Sequence, residues 1–229
     1  MANPRRDANL WHASYVQTYL ERDLRTIRHV GNLSQFQSFL TMLAARSAQL
    51  VNFNELSREI GVTLNTIKAW VSVLEASYQI LVIRPYFANI GKRLVKTPKV
   101  YFLDTGTLCY LTRLKDPEHA ASGPLGGAIL ETAVLSEIFK TFKHQGLEPH
   151  LYFWRTSAGS EVDIIVEVAN GLVPIEVKLT STPKPAMASS ITSFQDLLKG
   201  KPRPGYLVHQ GSLKLPLGKG VTTLPIYEV

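Results

Sequence analysis

Residues 161–179 read Glu-Val-Asp-Ile-Ile-Val-Glu-Val-Ala-Asn-Gly-Leu-Val-Pro-Ile-Glu-Val-Lys-Leu, two aliphatic runs divided by Asn170-Gly171. Asn-Gly between alternating hydrophobic segments is the strongest short-range signal for a β-hairpin, because both residues tolerate the positive φ of a tight two-residue turn. With that pair as the loop, Ala169 pairs with Leu172, Ile165 faces Glu176 and Asp163 faces Lys178. Side chains alternate between the faces of a strand. One face then carries Val162, Ile164, Val166 and Val168 against Val173, Ile175, Val177 and Leu179, an aliphatic surface that demands burial. The other carries Glu161, Asp163, Glu176 and Lys178. In this register Asp163 is diagonal to Glu176, at about 7–8 Å between backbones, within reach of a shared divalent ion with a lysine beside it. The same register equally allows an ordinary Asp163–Lys178 ion pair on a wetted face.

Outward from the hairpin, the bulk properties set limits. A chain of 229 residues that is 45% hydrophobic suits one large or two small domains with real cores. No stretch approaches the ~18 to 20 apolar residues of a membrane span. The N-terminus, Met-Ala-Asn-Pro-Arg-Arg-Asp7, has no apolar signal core. Cys109 is the only cysteine, which excludes an intramolecular disulfide and a cysteine-rich zinc site. These features lead us to expect a cytoplasmic protein without a membrane partner, and Cys109 reads as a small core residue. Residues 1–113 hold 14 Lys/Arg against 7 Asp/Glu, whereas residues 114–229 hold 11 of each, so the net charge of +7 belongs to the first part. A basic half beside a neutral half with a carboxylate cluster points to a polyanion, nucleic acid first, although a basic stripe can also be only a solvated face.

Upstream, helical spacing of Val16, Tyr19, Leu20, Asp23, Leu24 and Ile27 predicts a helix over 15–27, and Phe36, Phe39, Leu40, Leu43 and Ala44 predict another over 33–50. Residues 52–75 follow helix-turn-helix grammar: a helix capped by Asn54 that ends at Gly61, then a second capped by Thr63 with Ile67, Trp70, Val71 and Leu74 inward. Asn65, Thr66 and Lys68 fall where a DNA-reading helix presents its side chains. Strands over 80–87 and 99–103 flank a loop bearing Lys92, Arg93, Lys96 and Lys99, the pattern of a wing with a basic tip that meets phosphate. Such modules also serve protein–protein contact. Residues 114–126, rich in Pro, Gly and small side chains, form the expected linker. Beyond it come a helix (127–142), a strand (150–155), the hairpin, a helix (186–198) and strands near 205–208 and 221–228, an α/β arrangement with a mixed sheet.

The spacing Asp163-x12-Glu176-x-Lys178 resembles the PD-(D/E)xK nuclease superfamily, whose minimal core runs helix, three strands, helix, strand. Tyr19-Leu-Glu-Arg-Asp23, the run from Asn89 to Gly106, Gly127-Ala-Ile-Leu-Glu131, Glu161-Val-Asp163 and Pro174-Ile-Glu-Val-Lys178 are similar to the C-terminal half of a prokaryotic family of AAA-type ATPases. In that family an ATPase module precedes a winged helix and a nuclease-like domain. The resemblance covers about residues 4–200. It implies an α+β or α/β protein with an N-terminal helix or linker (1–30), a winged helix-turn-helix domain (31–113), a linker (114–126) and a PD-(D/E)xK-like domain with an αβββαβ core (127–229).

Applied residue by residue, the resemblance makes Glu131 the acidic residue of the first core helix, Asp163 and Glu176 metal ligands and Lys178 the motif lysine. Mg2+ or Mn2+ is the implied cofactor. Glu131 can equally be a solvated helix carboxylate. Val162 stands where the literal motif has proline, and no Gly-x4-Gly-Lys-[Ser/Thr] run occurs, so no ATPase activity is expected of this chain, which reads as a fragment or stand-alone remnant. The expected function is a DNA-associated, metal-dependent phosphodiesterase. The alternative is a catalytically silent DNA-binding or assembly module of an AAA-type ATPase, present in cis or in trans. His29, His119, His144, His150 and His209 show no metal-ligand spacing. Arg155 can touch phosphate or pair with Glu161, and Gln195 sits where related nucleases carry a polar site residue.

Overall fold

Asp7, Asn32, Asn52, Thr63, Asp104 and Asp116 each open a helix by accepting a hydrogen bond from a backbone N–H two or three residues on. A side-chain oxygen at this position satisfies a donor that the first turn leaves unpaired. The helices so begun are α1 (Ala8–Tyr15), α2 (Leu33–Ala44), α3 (Phe53–Ile60), α4 (Leu64–Ala76), α5 (Thr105–Leu111) and α6 (Pro117–Ser122). The computed structural model describes residues 7–18, 32–86, 96–198 and 203–229. The chain divides into two compact units, one of residues 1–82 with 99–125 and one of residues 83–98 with 126–229. It is a mixed α/β protein.

In the first unit Phe36, Phe39, Leu40, Leu43 and Ala44 are all buried on α2, the face that their helical spacing marks. Trp70 of α4 meets Phe36 edge-on and Phe39 at a tilt, each at 5.2 Å between ring centroids. Ile67, Val71 and Leu74 complete the buried side of α4, and Leu56 that of α3. The cap of α3 is Asn52, not Asn54: the Asn52 side chain takes the N–H groups of Asn54 and Glu55. Helix α2 stops at Ala44, and Gln49–Leu50 forms a short strand, β1, antiparallel to β3 (Lys99–Phe102). The second strand, β2 (Ile80–Pro85), lies beside β3 in the sheet order.

Two elements of this unit depart from the sequence expectation. Helix α1 forms ahead of the helix expected over 15–27, and its His12 packs against Gly106, so close that a Cβ there would lie 2.4 Å from the imidazole Nε2. The helix expected over 15–27 falls mostly outside the described residues. Helix α6 interrupts the expected linker, set by Asp116 as cap and Pro117 as first residue, a start that needs no hydrophobic periodicity.

The second unit holds α7 (Gly126–His144), β4 (His150–Arg155), β5 (Glu161–Val168), β6 (Gly171–Lys178), α8 (Ser189–Leu197), β7 (Gly205–His209), β8 (Pro216–Gly218) and β9 (Val221–Pro225). Its sheet runs β4-β5-β6-β7-β9-β8, with the end of β2 added in parallel at β4 through Arg84–Tyr152 and Pro85–Phe153. β4, β5 and β6 are antiparallel neighbours, and β7 lies parallel to both β6 and β9. The sheet is mixed because the hairpin is local while β7 returns only after the α8 crossover. Trp154, Val162, Ile165, Leu172 and Phe194 pack as one core cluster.

The hairpin register differs from the expected one by two residues. Val168 pairs with Gly171 and Glu167 with Leu172, so the loop is Ala169-Asn170 and Gly171 opens the second strand with φ 136°. Only Gly171 takes the positive φ, a conformation it adopts at no steric cost. An even shift preserves the division of side chains between faces. Val162, Ile164, Val166, Ile175 and Val177 are all buried, but the register shift between Ile165 and Val162 interrupts the alternation and lets Val162 pack in one cluster with Ile165; Leu179, after the strand's end, is 40% exposed.

Candidate functional site

The candidate site lies where the hairpin pairing ends. The β5–β6 register stops at Ile164–Ile175, and the β4–β5 register shifts between Tyr152–Ile165 and Trp154–Val162, a bulge in β5 that takes in Asp163 and Ile164. Both acids are buried, Asp163 at 8% and Glu176 at 4% exposure, so this face is not the wetted side of an ordinary hairpin. Asp163 Oδ2 accepts the backbone N–H of Val177 at 2.9 Å, which ties β5 to the residue between Glu176 and Lys178.

Lys178 Nζ lies 2.5 Å from Glu176 Oε1, two residues away on the same face of β6. This ion pair runs along one strand of the hairpin, with Asp163 also acting electrostatically on the lysine. The other oxygen of Glu176, Oε2, is buried without a hydrogen-bond partner. A buried carboxylate oxygen left unsatisfied is costly. Burial pushes the Glu176 carboxyl up to about 8, with Asp163 and then Glu131 adding like-charge repulsion against the pull of Lys178. Desolvation works against the Lys178 ammonium, but the attraction of Glu176, Asp163 and Glu131 outweighs it and raises its pKa.

Glu131 lies half-buried on α7, within electrostatic range of both Glu176 and Lys178. It does not complete a three-carboxylate cage: among the described residues no group of three or more His, Cys, Asp or Glu side chains is placed to hold a metal ion. The donor set that does converge, Asp163 and Glu176 with one orphaned oxygen, suits a hard cation that takes one or two carboxylates and keeps its own waters.

Arg155, at the end of β4, pairs with Glu161 at 2.7 Å. Gln195 of α8 donates from Nε2 to the Arg203 carbonyl at 2.7 Å, a contact that braces the chain before β7. His209 was absent from the expected site, yet it pairs in register with Lys178 across β6 and β7. Its Nδ1 accepts the Gly211 N–H at 2.9 Å while Nε2 meets the Leu213 carbonyl at 3.0 Å, so the buried ring organises the turn beside the lysine. Position in the strand after α8 was the only sequence signal for it.

On the first unit, Asn65 and Lys68 are exposed on α4, and Thr66 is half-buried with its hydroxyl 2.9 Å from that of Thr63. Lys96 is exposed. Lys92 and Arg93 lie outside the described residues. Lys99 is a correction: it is 2% exposed in β3, opposite Leu50, and is part of the core and not of a basic tip.

Two family models match the chain. Residues 1–118 match a domain of unknown function, DUF8612, and residues 126–229 match a second, DUF4143. The chain belongs to the DUF8612 family, with a DUF4143 match over its second part. It is 31% identical over 231 aligned positions to an uncharacterized protein of Mycobacterium bovis, Mb2031c, and equally to one of Mycobacterium tuberculosis, Rv2008c. The alignment takes in 100% of this chain and 50% of each relative, so the chain spans about half the length of the curated relatives it matches. No solved structure matches it. No described helix is long and apolar enough to cross a membrane.

Proposed function

We propose that residues 126–229 form a PD-(D/E)xK-type phosphodiesterase centre and that the helix pair α3–α4 of the first unit, with the adjoining strands as a winged helix, docks on DNA. The observation that carries the catalytic part is the buried Glu176 Oε2 without a partner, on a carboxylate paired with Lys178 and within electrostatic range of Asp163. The order α7, β4, β5, β6, α8, β7 supports the same reading, since it is the order of that superfamily's core. Asp163 and Glu176 would hold Mg2+ or Mn2+, with Glu131 adding negative charge from α7. When bound, such an ion lowers the pKa of a water and stabilises charge on a phosphate. Lys178 offers a fixed ammonium, half-exposed, that neutralises a phosphate oxygen or positions the attacking water. Asp163 also fixes the β6 backbone through Val177, which keeps the acid and the lysine in register.

The basic excess of residues 1–113 and the exposed Asn65, Lys68 and Lys96 support DNA contact through phosphate neutralisation. Incubating the chain with single-stranded, duplex and branched DNA plus Mn2+ tests the proposal. Cleavage is expected, lost in Asp163→Ala and Lys178→Ala with binding retained. No cleavage of any of these substrates, or cleavage that survives both substitutions, overturns the nuclease reading. A second reading, a silent DNA-binding or assembly module of an AAA-type ATPase, is favoured by the lysine already paired with Glu176. It predicts binding that weakens steeply with salt and no cleavage in the same assay.

A further inference from the structure

Glu176 offers its two oxygens unequally. Oε1 is taken by Lys178 Nζ at 2.5 Å, and Oε2 is buried without a hydrogen-bond partner. The contact joins residues i and i+2 on one face of β6, so it is built by the strand itself and not by a distant element. The carboxylate is 4% exposed, and the intervening Val177 N–H is tied to Asp163, which leaves little freedom to turn the group over. We infer that Lys178 is a cation-selectivity residue: by holding Oε1 of Glu176 it restricts the carboxylate to a one-oxygen contact, which favours Mg2+ or Mn2+ over Ca2+. This rests on the reading of Asp163 and Glu176 as a cation site.

The chemistry follows from ligand counting. Ca2+ takes 6–8 oxygens at about 2.3–2.6 Å and often grips a carboxylate by both, whereas Mg2+ holds an octahedral shell at about 2.0–2.1 Å with one or two carboxylates and several waters. A two-oxygen grip on Glu176 requires Oε1 to be released. Removing the ammonium also relieves repulsion, but two ions of equal charge at one place gain equally from that. The ratio of their affinities therefore isolates the number of oxygens offered.

Titration calorimetry of the full chain with Mn2+ and separately with Ca2+ reads this ratio. The wild type is expected to prefer Mn2+, and Lys178→Met to shift the ratio toward Ca2+ by about tenfold. Lys178→Arg, which keeps a donor on Oε1, is expected to retain the wild-type preference. Lys178→Ala gives the same comparison if the methionine variant does not fold. Tighter binding of both ions with an unchanged ratio overturns the inference while leaving the cation site standing. Binding of neither ion to the wild type overturns the site itself and the inference with it.

Discussion

Replacing Glu176 by glutamine is expected to stabilise the protein at neutral and alkaline pH. The folded carboxyl titrates at about 8 against an ordinary 4.5, because it is buried and faces Asp163. Between those values the unfolded chain releases a proton that the folded chain retains, so folding stability falls as pH rises through this window. Linkage puts the cost of the native carboxyl, relative to a neutral amide of the same shape, at about 3 kcal/mol at pH 7 and about 5 kcal/mol well above pH 8. Below pH 4.5 both states are protonated and the cost vanishes. Glutamine keeps an oxygen for Lys178 and carries no charge to desolvate. Urea unfolding of both proteins in chelator at pH 5, 7 and 8.5 measures the gap. It should be small at pH 5 and widen monotonically in favour of Glu176→Gln. A gap that does not grow with pH, or a glutamine variant less stable at pH 8.5, refutes the description of Glu176 as a buried, repelled acid.

Other outcomes follow from single contacts. Asp163→Asn removes a like charge, so the Glu176 carboxyl should titrate lower, readable by carbon NMR of labelled glutamate. Asn52→Ala should cost about 1 kcal/mol in chemical unfolding because the α3 cap is lost, whereas Asn54→Ala should be close to neutral. At Gly205 a Cβ would come 2.4 Å from Ile191 Cγ2 and 3.3 Å from Pro174 Cγ, so Gly205→Ala should destabilise by about 1–3 kcal/mol in the same assay.

Much of the second unit was legible because a period of two needs no tertiary knowledge. Val162, Ile164 and Val166 declare burial whichever turn closes the hairpin, and all three are buried, although the bulge that joins Val162 to the cluster of Ile165 left no mark in the alternation. The two-residue slip of register was also invisible locally: Asn-Gly signals a turn, yet the loop is Ala169-Asn170, with Gly171 supplying the one positive φ. Burial of the acidic face was not legible, since acidic side chains alternating with apolar ones read as solvated until their neighbours are known. Lys99 shows the converse. Charge marks a surface residue by default, but β3 is buried along its whole length and takes its lysine with it. The short helices α5 and α6 escaped because one or two turns carry too few apolar residues to set a period, although Asp104 and Asp116 stood ready as caps.

The bond from Val177 N–H to Asp163 has a consequence for what mutation can reach. The residue between the acid and the lysine contributes its main chain to the fastening, so nearly any side chain there leaves the tether whole. Isoleucine or leucine at 177 would perturb only the packing beneath. Proline alone, lacking the hydrogen, would cut the tie from that side. A chain that drifts freely in sequence at this position would therefore keep its three polar neighbours in step.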